Sequence, residues 1–217
     1  MWQRKTTADI GLIVLATGWL SSTALAGNVL RNSGFELADA KGTEAAAEWC
    51  DNANGGVWGA AFRTDWQSRK GKYSAGVKGS YSGMDYGGWW QSVDVVPGKK
   101  YEVSAVFFWD NQWQAEKQML RIEWYKGDSI VGTEELDLKS IPENEWTPKK
   151  LSATAPTEAD KAHIVLEISK SSDTGVFYMD EVMFEEVSAA KCDVDPIFCS
   201  RISSRFAHLI GLSSDHI

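Results

Sequence analysis

The residues best suited to chemistry in this chain of 217 residues are its aromatic side chains, above all its eleven tryptophans. One set combines rings with charged groups on segments of alternating polarity. Its members are Trp90, Phe108, Arg121, Glu123 and Tyr125. A ring can stack on the apolar face of a ligand, while guanidinium and carboxylate groups hydrogen-bond to the polar edge of that ligand. We therefore predict a non-covalent binding surface made of these five side chains.

A second set of rings lies among glycines, in the segments GGVWGAAFRTDWQ and SGMDYGGWW. The members of this set are Trp58, Trp66, Tyr86 and Trp89. Loops held by a rigid scaffold often carry binding residues, so these rings predict a second site at one end of the domain. By contrast, Trp49, Trp124 and Trp146 fall in apolar positions or at element edges and are expected in the core.

Two classes of function are disfavoured by the sequence. GSYSG at 79–83 places Tyr81 where a nucleophilic serine would stand, and zinc-protease, P-loop and dinucleotide motifs are missing. His163 lies in a segment of strand character, where we expect a half-buried, hydrogen-bonded ring. The formal charge of −8 disfavours nucleic acid, because phosphate binding needs a basic surface. We expect a protein that is not an enzyme and does not bind nucleic acid.

The elements that must position these side chains are β-strands. Segments of alternating polarity, separated by Gly, Asp, Asn and Pro, run through residues 27–187. In YEVSAVFFWD (101–110) the phase that contains Phe107 is expected to face the core and the phase that contains Phe108 to face outward. Together with QMLRIEWYKGDS (118–129), this segment predicts an antiparallel hairpin whose loop contains Trp113.

Many short strands at regular spacing predict an all-β sandwich of two antiparallel sheets. The Cys-Trp-Cys spacing of immunoglobulin domains is absent, which favours a jelly roll. The one helix-like stretch is LADAKGTEAAAEW (37–49), and Gly42 interrupts it.

The first 26 residues have the features of an export signal. Arg4 and Lys5 precede an apolar stretch, and Ala24-Leu25-Ala26 resembles a cleavage site. The apolar stretch is shorter than the roughly 20 residues that span a bilayer, so a membrane anchor is disfavoured. We expect a secreted or periplasmic protein.

Export makes disulfides possible, and the chain has three cysteines. Cys192 and Cys199 could close a small loop, which leaves Cys50 as a buried free thiol beside Trp49. Both tail cysteines lie in residues 188–217. This amphipathic segment either packs on the domain, is disordered, or attaches the protein to a partner or a membrane surface.

Four blocks of sequence carry a family resemblance. They are NVLRNSGFE (28–36), SRKGKYSAGVKG (68–79), WWQSVDVVPGKKYEVSAVFF (89–108) and FYMDEVMFEE (177–186). In this order they resemble carbohydrate-binding modules of families four, nine and twenty-two. The resemblance covers essentially the whole predicted domain and implies a galactose-binding-like jelly roll.

The resemblance implies a polysaccharide or oligosaccharide ligand of the xylan or β-glucan type, held by the five-residue surface described above. It also implies a structural calcium ion between Glu36 and Asp180, with main-chain carbonyls near Lys70 and Tyr73 as further ligands. The alternative for these two carboxylates is that they accept hydrogen bonds from backbone amides. The alternative for the whole chain is a structural or protein-interaction module of the same fold.

Overall fold

The computed structural model describes residues 27–51, 61–78, 87–171 and 174–187. The strands in these ranges are β1 (Ala38–Asp39), β2 (Gly42–Ala46), β3 (Cys50–Asp51), β4 (Ala61–Thr64), β5 (Ser74–Lys78), β6 (Gly87–Asp94), β7 (Lys100–Trp109), β8 (Ala115–Lys126), β9 (Ser129–Asp137), β10 (Thr147–Thr154), β11 (Lys161–Ser171) and β12 (Val176–Glu186). Among these residues no helix is long and apolar enough to cross a bilayer. The expected signal peptide and the tail, with Cys192 and Cys199, lie outside the described residues.

The molecule is an all-β jelly-roll sandwich, as the sequence predicts. Sheet I has the strand order β3-β6-β11-β8-β9, and sheet II has the order β10-β7-β12-β5-β4. All the strand pairs in both sheets are antiparallel. Each sheet buries one face against the other and turns an outer face away from the core.

The helix-like stretch 37–49 is not helical, because β1 and β2 within it pair as a small antiparallel hairpin. Arg63 on β4 holds this region by its guanidinium group. Its Nε donates to the carbonyl oxygen of Phe35 at 2.6 Å and its Nη1 to that of Thr43 at 3.0 Å. These tertiary hydrogen bonds use carbonyl groups in and beside the hairpin and override the local preference for a helix.

The predicted hairpin of 101–110 and 118–129 is wrong. The first segment is β7 in sheet II and the second is β8 in sheet I, so the linker between them crosses from one sheet to the other. Trp113 explains this crossing: its side chain is 1% exposed and its Nε1 donates to Gln118 Oε1 at 2.9 Å. A buried indole in the linker draws the chain into the sandwich instead of allowing a surface turn.

The core lies between the sheets and is rich in aromatic rings. The largest almost fully buried side chains are Trp89, Trp113, Trp124, Phe35, Phe107, Phe177, Phe184, Leu120, Ile122, Leu138 and Ile164. Trp124 and Trp49 are buried as predicted, whereas Trp146 is only half-buried and lies outside the main core. Most of the described tryptophans therefore serve packing.

The two ends of the described domain lie against each other. The backbone N–H of Val29 donates to the carbonyl oxygen of Phe184 at 3.0 Å. The side chain of Asn28 accepts from the N–H of Phe184 at 2.9 Å and donates to the carbonyl oxygen of Val182 at 2.9 Å. The first described residues are thus fixed to the last strand.

We predict that Gly88→Ala destabilises the fold by about 3 kcal/mol, because of overpacking against backbone. Gly88 has a φ of +153°, and a Cβ there would lie 1.7 Å from the carbonyl oxygen of Leu166 on β11. Urea unfolding measures the loss. Gly98→Ala is the control: Gly98 has a φ of +74° but open space around its Cβ position, so only the backbone cost of about 1 kcal/mol is expected. Equal losses in the two variants would contradict the steric argument.

Candidate functional site

A row of three rings crosses the outer face of sheet I. Trp90 lies on β6, His163 on β11 and Tyr125 on β8, and we call these three residues the ring row. The ring centroids of Trp90 and His163 are 4.6 Å apart with an angle of 23° between the planes. Those of Tyr125 and His163 are 4.1 Å apart at 30°. His163 is therefore held between two aromatic rings.

Beside the ring row, five charged side chains form a charge cluster that also lies on sheet I. Its members are Lys117, Arg121, Glu123, Glu135 and Glu167. Arg121 contacts all three carboxylates: its Nη2 lies 3.2 Å from Glu123 Oε1, its Nε lies 3.1 Å from Glu135 Oε1, and its Nη1 bonds to Glu167. Lys117 Nζ lies 3.0 Å from Glu167 Oε1. The cluster links β8, β9 and β11.

Most of this charge is removed from water. Glu123 is 9% exposed and Glu167 is 5% exposed. Burial lowers the pKa of Arg121, but the carboxylates of Glu167, Glu123 and Glu135 raise the pKa more, so the net shift is upward. Arg121 thus stays charged and compensates buried carboxylates that would otherwise be very costly. Tyr125 joins the cluster to the ring row by donating from its hydroxyl to Glu123 Oε2 at 3.1 Å.

A cavity of about 600 Å³ runs along the edge of β6 next to Trp90. Its lining comprises Val29, Arg31, Glu48, Cys50, Trp90, Gln91, Ser92, Val93 and Asp94. The cavity exists because β3 pairs only with Trp89 and Trp90. Further along β6, the side-chain amide of Gln91 accepts from the N–H of Arg31 at 2.8 Å and donates to its carbonyl oxygen at 3.0 Å. The backbone of Arg31 is therefore bonded to the side chain of Gln91.

The cavity offers several groups that can hydrogen-bond to a ligand. Arg31 Nη1 lies 3.4 Å from Glu48 Oε2, and both side chains are largely exposed. Glu48 has a φ of 70°, which is unfavourable for a residue other than glycine. Ser92 and Asp94 are exposed on β6 and form no side-chain hydrogen bond with other described residues. The cavity is therefore lined by the ring of Trp90, the hydroxyl of Ser92, the carboxylates of Asp94 and Glu48, and the guanidinium of Arg31.

Cys50 is not the buried thiol that the sequence predicts. It is exposed on β3, opposite Trp90 in the register, while its neighbour Trp49 is the buried residue. Both residues of β3 are exposed, and the buried Trp49 stands just before the strand, where its N–H donates to the carbonyl oxygen of Ala46 at 3.3 Å. Partial burial raises the pKa of its thiol; Lys41 opposes the shift, and Asp51 and Asp39 add to it. The thiol is mainly protonated at neutral pH.

The structure separates the side chains that the sequence groups together. Trp90, Arg121, Glu123 and Tyr125 lie on the outer face of sheet I, as predicted. Phe108 lies on β7 in the other sheet, so its predicted place beside them is wrong. It is 9% exposed and packs with Phe62, Tyr178, Val176 and Trp146. Burial, together with Asp110, raises the pKa of Tyr178 there to about 12.

The four rings of the predicted end site also separate. Trp89 is 1% exposed on β6 and its Nε1 donates to the carbonyl oxygen of Gly76 at 3.1 Å, so its predicted position in a poorly covered loop is wrong. Trp66 is 63% exposed and packs on Phe62, whose strand belongs to sheet II. Trp58 and Tyr86 lie outside the described residues.

The two carboxylates of the implied calcium site both face the loop 69–73. Asp180 Oδ2 accepts from the N–H groups of Arg69 at 2.8 Å and Lys70 at 3.0 Å, and its Oδ1 accepts from that of Glu181 at 2.7 Å. Glu36 Oε1 accepts from the N–H groups of Lys72 at 2.9 Å and Tyr73 at 3.0 Å. Burial raises the pKa of Asp180, while the amides of Lys70, Arg69 and Glu181 lower it, and the net shift is upward.

Backbone amides are directed at both carboxylate oxygens of Asp180 and at Oε1 of Glu36, and these oxygens accept hydrogen bonds without an ion. No group of three or more His, Cys, Asp or Glu side chains suited to a metal occurs in the described part of the chain. The arrangement matches the alternative in which Glu36 and Asp180 accept backbone amides. The calcium ion, with the proposed carbonyls near Lys70 and Tyr73, stays a prediction.

Sequence reasoning missed His163, Glu167, Glu135 and Lys117 as members of this surface. The signal for two of them was available on β11, where His163 and Glu167 alternate with the apolar phase of Ile164, Leu166 and Ile168. The expected hydrogen bond of the His163 ring is not found among the described residues, since aromatic contacts surround it instead.

We predict that Arg121→Met lowers the free energy of unfolding by about 3 kcal/mol, because Glu123 and Glu167 are left buried without their cation. The methionine preserves much of the apolar stem. Urea unfolding at neutral pH measures the change. The control is Lys150→Met: Lys150 Nζ lies 3.4 Å from Glu102 at an exposed site, and a loss below about 1 kcal/mol is expected. A similarly small loss for Arg121→Met would refute the role of the charge cluster.

We predict that His163→Phe removes a pH dependence of stability. Burial lowers the pKa of His163 from its usual 6.5, Lys161 lowers it further, and Glu123 raises it in part. Because the unfolded chain then takes up the proton first, the wild type loses stability as the pH falls below the unfolded value. The free energies of unfolding of the two proteins, measured from pH 7.5 to pH 5, should show the wild type losing stability relative to the variant. A constant difference would contradict the lowered pKa.

No protein-family model matches the sequence, and no curated protein is similar to it by sequence. Solved structures do share the fold. The structure called Family 16 Carbohydrate Binding Module-2 has a TM-score of 0.52 and 18% identity, over 72% of this chain and 99% of that one. The CBM22-1 xylan-binding domain of Paenibacillus barcinonensis Xyn10C has a TM-score of 0.51 and 18% identity, over 77% of this chain and 99% of that one.

The enzymatically active domain of the bacteriophage CBA120 tailspike protein 4 is also similar, with a TM-score of 0.57 and 13% identity. The match covers 74% of this chain and 21% of the tailspike chain, so this chain spans about a fifth of that protein. At these identities the likeness shows the fold. The chain has the jelly roll of carbohydrate-binding modules. Its function has to be argued from the ring row, the charge cluster and the cavity beside Trp90.

Proposed function

We propose that this chain is an exported, non-catalytic module that binds carbohydrate on sheet I, in the cavity that Trp90 lines. The observation that carries the proposal is the position of Trp90. One face of its indole lies against His163, and the indole also lines the 600 Å³ cavity. A pyranose ring has an apolar face that can stack on an indole.

The polar lining of the cavity supports the same ligand class. Sugar hydroxyl groups both donate and accept hydrogen bonds, and Ser92, Asp94, Arg31 and Glu48 supply partners of each kind. The structural likeness to a module described as xylan-binding makes xylan the first polymer to test, with mixed-linkage β-glucan as the second.

A non-catalytic role agrees with the chemistry of the described side chains. A glycosidase needs two carboxylates that flank a scissile bond, one of them a proton donor. The buried carboxylates of sheet I, Glu123 and Glu167, are instead ion-paired to Arg121. Export rests on the features of residues 1–26.

We predict that Trp90→Ala weakens binding to xylan or mixed-linkage β-glucan about tenfold, because the stacking ring is lost. Affinity electrophoresis through gels containing each polymer measures the effect. Circular dichroism checks that the variant is folded, and Trp90→Phe, which keeps a smaller ring, should lose less affinity than Trp90→Ala.

The matched control is Trp66→Ala, which removes an exposed indole from the side of sheet II and should keep wild-type retardation. Loss of retardation in the Trp66 variant with none in the Trp90 variant would move the site to the other sheet. Absence of retardation of the wild type by either polymer would refute carbohydrate binding and favour a protein-interaction module.

A further inference from the structure

The ring row leaves few ring faces for a ligand. Side chains stand roughly perpendicular to a β-sheet. Rings that stack on their neighbours across strands therefore turn their edges, not their faces, to solvent. His163 has a neighbour on each side, Trp90 at 4.6 Å and Tyr125 at 4.1 Å between ring centroids. No sugar can stack on His163, although it lies in the middle of the row.

Trp90 is the end of the row on the side of the cavity. It reaches His163 on β11 on one side, and on the other side only the two-residue strand β3 follows it in the sheet. The cavity beside it has a volume of about 600 Å³, which is enough for a pyranose unit. The side of Trp90 turned away from His163 therefore faces Cys50 and the cavity. Tyr125, at the other end of the row, lies beside the charge cluster, and its hydroxyl donates to Glu123.

The charge cluster adds little to a binding groove across the sheet. Arg121 is committed to three carboxylates, and Glu167 is shared between Arg121 and Lys117. The side chains of Arg121, Glu123 and Glu167 are only 17%, 11% and 7% exposed. A sugar hydroxyl would have to displace ion pairs that already satisfy each other, which costs desolvation without a compensating gain.

The charges around the cavity also select the ligand. Asp94 and Glu48 carry two negative charges against the single positive charge of Arg31. The neighbouring charge cluster has three carboxylates against two cations. A uronic acid would meet net negative charge from both sides, whereas an uncharged sugar would not.

We infer that the site holds one uncharged pyranose unit stacked on Trp90 at the edge of sheet I, and that no extended groove follows the sugar chain across the sheet. This inference rests on the proposed carbohydrate binding. It differs from the surface predicted from the sequence, in which a line of rings would stack on successive sugar units.

The test is the dependence of affinity on chain length, measured by NMR titration, which detects affinities on the order of 1 mM. The probes are methyl β-xyloside, xylobiose and xylohexaose, together with cellobiose and cellohexaose. For a single-unit site, the hexasaccharide should bind at most about threefold more tightly than the disaccharide, which is the statistical ratio of units. Each further stacked ring would raise affinity about fivefold, so a gain of about fivefold or more between the two lengths would overturn the inference.

Two further measurements separate the possible failures. Glucuronic acid should bind more weakly than glucose, and the difference should shrink in high salt; equal binding of the two at low salt would overturn the preference for an uncharged sugar.

Trp90→Ala should abolish the NMR shifts caused by sugars of all lengths, while Trp66→Ala should leave them unchanged. Binding that rises steeply with length would overturn the single-unit site and leave carbohydrate binding standing. The absence of binding by every probe would overturn both.

Discussion

The alternation of side chains along β11 is the constraint on which both the core and the site depend. This strand is the middle of sheet I, paired with β6 on one side and β8 on the other. Its inward residues Ile164, Leu166 and Ile168 are at most 1% exposed. A shift of one residue in its register would exchange them with His163 and Glu167. The hydrophobic core therefore fixes the position of every group that the outer face carries.

The outer face is built by side chains that satisfy one another. The ring row joins β6, β11 and β8, and the charge cluster joins β11, β8 and β9, so together they link four of the five strands of the sheet. Buried ion pairs of this kind stabilise a fold little in net terms, but breaking one partner is costly. Their main effect is to hold long side chains in one arrangement. Trp90 thus packs against a surface whose side chains are paired with one another.

The sequence patterns predicted correctly which face of a strand a side chain occupies, but not which strands lie side by side in a sheet. Alternating polarity placed Arg121, Glu123 and Tyr125 on an outer face, because a strand with one buried face has a period of two. The same rule placed Phe108 outward, and its side chain does leave the main core. The error was the assignment of Phe108 to the same sheet, since sheet membership depends on pairing between distant segments.

The local composition led to a wrong prediction of secondary structure in two places. The glycines before Trp89 suggested a loop, yet this residue shares the inward phase of the buried Gln91 on β6. The alanines around Gly42 suggested a helix, yet β1 and β2 pair there as a hairpin, and Arg63 binds the carbonyl oxygen of Thr43. In both cases long-range contacts decided the outcome, and a single sequence contains no direct signal for them.

The attachment of the first described residues to β12 has a mechanical consequence. Val29 and Arg31 are wall residues of the Trp90 cavity, and Val29 is held to the end of β12 by its hydrogen bond to Phe184. Tension between the two ends of the domain would act on the bonds that Asn28 and Val29 make with β12. Because Val29 is also a wall residue, a force on the first described residues acts directly on the shape of the cavity.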